Sequence, residues 1–184
     1  MNADEKIKEA QFFLQKLKKY EFHMSVNDYY LNAFISSADS IPEYLLEDYQ
    51  KAYLFHISLK ERDLKKQFLE KACKNAVKGD LTALKFFQWY KERTKYIESS
   101  DQVGKVLSNH RNITIHREPT RPIIQLVTRD KSDSTSPSRE PKIIILCLPN
   151  MSMVEACKKF LILMENLVSE AHSKFPHELF DVKF

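Results

Sequence analysis

Two glycines, Gly79 and Gly104, serve a chain of 184 residues. Glycine supplies the left-handed turns on which tight hairpins and phosphate-cradling loops depend. Such scarcity argues against a glycine-rich phosphate loop and against a turn-rich all-β fold. Long helices are the favoured alternative. The 43% apolar content is that of an ordinary globular protein, and a chain of this length encloses one full core rather than two.

The apolar pattern reads as helix after helix through the first hundred residues. Ala10, Phe13, Leu14 and Leu17 recur at i, i+3, i+4 and i+7, with lysines and glutamates on the opposite side. A second helix is expected from Asn27 as cap, with an apolar stripe through Tyr30, Phe34 and Ile41. Pro42 should end or kink it, and Ser40 with Glu43 has the spacing of a capping box for a new one. Ser58 and Glu61 have the same spacing ahead of "LKKQFLEKACKNAV", which Gly79 should stop. Asp80 should cap "LTALKFFQWYKERTKYI". Ser99 and Gln102 predict one more helix, "QVGKVLSNHRNITIH", which Pro119 must end.

After Pro122 the pattern changes. "IIQLVT" and "KIIILCL" are β-branched runs of strand length, separated by the serine-, proline- and charge-rich "RDKSDSTSPSREP". A hairpin with a long loop is expected. Ser152 and Glu155 then open a last amphipathic helix whose stripe is Val154, Cys157, Leu161, Met164 and Val168. The expected fold is mainly α: a helical bundle over residues 1–120, then a C-terminal β-hairpin and packing helix over 121–184 as an α+β elaboration.

The net charge of +4 permits an anionic partner without demanding one. Cys73, Cys147 and Cys157 lack any CxxC spacing and read as buried hydrophobes in a reducing compartment. The N-terminal stretch is amphipathic with acidic residues from the start, unlike a signal or transit peptide, and no apolar run approaches the ~20 residues that span a bilayer. A cytoplasmic protein with no membrane partner is expected.

No GxSxG elbow, HExxH, P-loop or calcium loop occurs. His23, His56, His172 and His177 stand alone, without metal-ligand spacing. On a helix His110 and His116 would point well apart, so neither a metal nor another cofactor is expected. In the second helix Asn32, Ser36 and Asp39 fall at i, i+4 and i+7. They form a polar stripe that is either a solvent-facing edge or a support that hydrogen-bonds a basic residue across the bundle.

The densest polar group is "NHRNITIH", residues 109–116. Asn112 and His116 lie one helical turn apart on one face, with Arg111 flanking them. A guanidinium fork, an amide and an imidazole on one surface suit a phosphodiester. The fork holds non-bridging oxygens in pairs, and the imidazole transfers protons near neutrality.

Arg111 and His116, with four residues between them and Asn112 directly after the arginine, resemble the RxxxxH signature of HEPN domains. Those domains are all-helical bundles with the motif in a late helix. The run "YYLNAFISSADS" also resembles the second helix of a HEPN-like group of prokaryotic proteins. The similarity covers about residues 1–120. It implies a metal-independent RNA endonuclease whose catalytic residues would be Arg111, Asn112 and His116. It also implies a homodimer with both motifs facing one cleft, and RNA as substrate. Toxins of the family that pair with nucleotidyltransferase antitoxins often carry a tyrosine two residues after the histidine. Glu118 stands there in this chain, and an antitoxin remains a partner the resemblance suggests. The alternatives are a non-catalytic HEPN-like module that binds nucleotide or RNA, and a structural helical protein in which the motif is a fortuitous cap.

Overall fold

The first helix, α1 (Ala3–Lys19), starts at a reciprocal cap. The Asn2 side chain accepts from the Glu5 amide at 2.8 Å, and the Glu5 carboxylate accepts from the Asn2 amide at 2.9 Å. Its expected stripe packs inward, with Ala10, Leu14 and Leu17 buried and Phe13 partly so. The computed structural model describes residues 1–20, 24–57, 63–108, 124–127, 142–145 and 151–177, and it is mainly helical.

The second helix departs from expectation. Helix α2 runs unbroken from Met24 to Ala52, straight through Pro42, and Asn27 is buried inside it rather than capping it. Proline has no N–H to give the Ala38 carbonyl and crowds it as well, a defect worth about 3 kcal/mol in a helix interior. Core contacts on both sides of the defect outweigh that cost: Phe34, Ile35, Ala38 and Ile41 precede it, Leu45, Leu46 and Tyr49 follow, and all are buried. Ser40 opens no new helix. Its hydroxyl donates to the Ser37 carbonyl at 2.7 Å, inside α2. The helix ends with Leu54 and His56 at φ 53 and 50, left-handed backbone that a glycine would adopt at lower cost.

Helix α3 (Leu64–Val77) is capped by Asp63, whose carboxylate accepts from the Lys66 amide at 3.0 Å. The expected Ser58–Glu61 box lies outside the described residues. Gly79 has φ 96, as a helix stop requires, and Asp80 accepts from the Thr82 amide at 3.0 Å at the start of α4 (Thr82–Ser99). That bond holds the exposed Asp80 carboxyl below its ordinary range. The next helical segment, α5, is described over 102–108. Asp101, not Ser99, caps it, accepting from the Gly104 amide at 2.8 Å, whereas Ser99 donates back to the Lys95 carbonyl. The remainder of the helix expected up to Pro119 lies outside the described residues.

Two short strands, β1 (Ile124–Val127) and β2 (Lys142–Ile145), pair antiparallel with Ile124 opposite Ile145. Helix α6 (Met153–Lys174) opens on the capping box read from the sequence, with both bonds between Ser152 and Glu155 in place. Its whole expected stripe is buried. It packs against α1, α2 and α4, so that these helices share one core with the α3–α4 pair. At the centre Tyr49 stacks on Phe86 with ring centroids 3.9 Å apart, and the Tyr49 hydroxyl donates to the Phe175 carbonyl at 3.0 Å.

Of the cysteines, Cys157 is fully buried and burial pushes its thiol pKa up, so it packs as an inert hydrophobe. Cys73 is exposed, on the outer face of α3, contrary to the expectation of burial. Cys147 lies outside the described residues. Among the described residues, no helix is long and apolar enough to cross a membrane.

Candidate functional site

The sequence points to "RNITIH", residues 111–116, and the structure describes the helical segment 102–108 that precedes it in sequence. Segment α5 folds back on the end of α4 through a tight joint, in which the Ser100 and Asp101 amides both donate to the Tyr96 carbonyl. Gly104 makes that close approach feasible. A Cβ built there would overlap the Ile97 carbonyl oxygen and press on the rest of that residue. Val103 and Leu107 are buried in the core, which fixes the roll of the segment.

Its last described residue, Ser108, is buried and donates through its hydroxyl to Asp39 Oδ1 at 2.7 Å. The three-residue polar stripe of α2 therefore divides. Asn32 and Ser36 are exposed, as a solvent-facing edge would be. Asp39 is half-buried and bonded across the bundle to the Ser108 hydroxyl. Arg111, Asn112 and His116 lie outside the described residues. Ser108 stands three positions before Arg111 in sequence.

Asp39 and Ser108 open onto a cleft of about 270 Å³ among α2, α4, α5 and the first turn of α3. Its floor is apolar and deeply buried, formed by Leu46, Ile97 and Met164. The rim carries Glu43, Asp63 and Glu98, all exposed, and Lys65. Tyr90 lines the cleft too and is 1% exposed. Its hydroxyl makes no hydrogen bond among the described residues. Burial raises the Tyr90 pKa, and the Glu98 and Glu43 carboxylates raise it further, so the phenol stays protonated.

Sequence reasoning did not find Tyr90, Glu43 or Glu98. Tyr90 continues the α4 stripe of Ala83, Phe86, Phe87, Thr94 and Ile97, all buried. The pattern marks such a residue as core and carries no trace of an unused hydroxyl. Glu43 reads from the sequence only as the partner of Ser40 in a capping box, and Glu98 falls in no motif. They come together only because α2 and α4 pass either side of the same opening.

Of the isolated histidines, His56 is exposed, and His177 lies with its ring 6.3 Å from that of Tyr53. His172 is half-buried on α6 with its ring 6.3 Å from that of Tyr49, and burial lowers its pKa. Among the described residues, no group of three or more His, Cys, Asp or Glu could hold a metal ion. Compared with known proteins, the chain matches no family model, no curated protein and no solved structure.

Proposed function

We propose that this chain is a metal-independent RNA endonuclease of HEPN type, acting through Arg111, Asn112 and His116 at a cleft shared by two copies. The observation that carries the reading is the arginine–asparagine–histidine spacing, entered from a helical segment that Gly104, Asp101 and Ser108 tie to the bundle. Catalytic side chains need positions held to within a fraction of an ångström. The Ser108–Asp39 bond is the kind of support that would provide it. The HEPN-like bundle would span about residues 1–120, with the C-terminal hairpin and α6 as an elaboration of it.

In this mechanism the ribose 2′-hydroxyl attacks the adjacent phosphorus. The bond from phosphorus to the 5′-oxygen breaks and a 2′,3′-cyclic phosphate remains. One imidazole takes the proton from the 2′-hydroxyl and another gives a proton to the departing 5′-oxygen. A single chain offers one His116, and a two-fold axis would supply the second. Two Arg111 guanidiniums would neutralise the charge that builds on the phosphorane, and Asn112 would orient the phosphate.

Incubating purified protein with total RNA, with and without chelator, tests this directly. Cleavage that survives chelation, spares DNA and leaves cyclic phosphate ends is the expected result. Dependence on a divalent ion, or equal cleavage of DNA, would place the chemistry elsewhere. Binding of RNA without cleavage would leave a HEPN-like binding module. Light scattering at micromolar concentration should give twice the 21.7 kDa of the chain, and a persistent monomer would remove the shared site.

A further inference from the structure

The cleft beside Ser108 has an electrostatic character opposite to that of the chain as a whole. The protein carries a net charge of +4, yet among the described residues that line this opening Glu43, Asp63 and Glu98 stand beside one amine, that of Lys65. Carboxylates above low-dielectric walls focus a negative potential into the space between them. A phosphate or nucleic acid would be repelled there. A bare metal ion is also poorly served, because no group of these carboxylates converges closely enough to hold one.

The second observation is independent of charge. Tyr90 is 1% exposed, lines the cleft, and its buried hydroxyl bonds to nothing among the described residues. A buried polar group without a partner costs about 1–3 kcal/mol, so an occupant that satisfies it gains affinity at that point. A protonated phenol offers lone pairs as well as its proton, and an ammonium or guanidinium N–H can donate to them. The Ser108 hydroxyl, whose proton is committed to Asp39, also presents an acceptor oxygen. Leu46, Ile97 and Met164 supply an apolar floor for an aliphatic stem.

We propose that this cleft binds a small organic cation, an ammonium or guanidinium on a short aliphatic chain. Its charge sits among Glu43, Glu98 and Asp63, its N–H groups reach the Tyr90 and Ser108 oxygens, and its stem lies on the apolar floor. A volume of about 270 Å³ suits a molecule of that size rather than one ion or one water. The site stands whether or not the chain cleaves RNA.

Titration of the intact chain with agmatine and, separately, putrescine, followed by calorimetry and amide NMR spectra, tests the proposal. Potassium chloride at matched ionic strength is the control. Saturable binding is expected, with shifts centred on Tyr90, Thr94 and Ser108. The Glu43→Gln/Glu98→Gln double variant should bind at least about tenfold more weakly, because both charge-assisted contacts are lost. Tyr90→Phe should also weaken binding without lowering the unfolding midpoint, since the hydroxyl bonds nothing among the described residues. The proposal is overturned by absence of saturation with either amine at about 10 mM, where even a weak site would fill. Shifts centred elsewhere, or wild-type affinity in the double variant, overturn it equally.

Discussion

Ser108 on α5 donates to Asp39 on α2 at 2.7 Å, a side-chain hydrogen bond that spans 69 positions of sequence. It joins the long central helix to the last described turn before the arginine–asparagine–histidine group. The bond is partly buried and one partner is a carboxylate, so it is stronger than a neutral pair in water. Ser108→Ala should cost about 1–3 kcal/mol. Urea unfolding of Ser108→Ala, Asp39→Asn and the double variant gives the coupling. Independent, additive losses would show that the two side chains do not support one another.

Gly104 is a sharper probe of the same joint. Its lack of a side chain lets α5 lie on the Ile97 backbone, and a methyl group there would overlap the Ile97 carbonyl oxygen. In an ordinary exposed helix, glycine to alanine stabilises by up to about 1 kcal/mol. Here the sign should reverse. Gly104→Ala should destabilise by about 1–3 kcal/mol because backbone, not a flexible side-chain end, must yield. A thermal midpoint equal to or above wild type would mean that α5 does not approach α4 this closely.

Pro42 should behave in the opposite sense. Nothing in the run of α2 exploits the missing N–H, and the Ala38 carbonyl loses its helical partner for it. Pro42→Ala should therefore stabilise by about 1–3 kcal/mol. The gain is read as a raised urea midpoint at an unchanged slope. A loss of stability would show that the ring packs usefully at the edge of the cleft it lines.

These residues also show where sequence reading succeeds and where it stops. The stripes of α1 and α6, the Gly79 stop and the Ser152–Glu155 box are local patterns, and each appears in the structure where spacing puts it. The errors arise where a local rule meets a nonlocal one. Pro42 breaks helices on its own, but core packing on both sides of it holds α2 together. Ser99 has the right spacing for a cap, yet Asp101 reaches the Gly104 amide and takes the place. Cys73 is apolar by type, yet it lies exposed on α3. The cleft was illegible for the same reason: Tyr90, Glu43 and Glu98 lie on different turns and helices, and only the packing of α2 against α4 brings them together.

Asp48 should give the protein a recognisable acid profile. It is buried, accepts from the Ala3 amide at 2.8 Å at the start of α1, and burial raises its pKa from 3.8 to about 6. The folded state thus holds a proton that the unfolded chain has released between those two values. In that window the unfolded state binds fewer protons, so stability contributed here falls as pH rises and levels off above about 6. Asp48→Asn keeps an acceptor for the Ala3 amide and never charges. It should flatten the profile between about pH 4 and 6 and raise stability at pH 7 by on the order of 1–2 kcal/mol. Urea midpoints measured across that range decide it. An unchanged slope would assign the acid response to other carboxylates.

The motif itself is tested by three substitutions read together. If the chain is a nuclease, His116→Ala removes proton transfer, which is typically worth about 10²–10⁴-fold. Arg111→Ala removes charge stabilisation of similar size, about 10²–10³-fold. Neither should lower stability greatly, since both are polar groups that the mechanism sets at a cleft rather than in a core. His110→Ala is the control: one residue before Arg111, it has no role in the mechanism and should cleave as the wild type does. Rates are measured on one RNA substrate, with each variant's fold checked by circular dichroism. A His116→Ala protein that is folded and fully active would end the assignment of proton transfer to this motif. Equal losses in His110→Ala and His116→Ala would show that the substitutions disturb the segment as a whole rather than its chemistry.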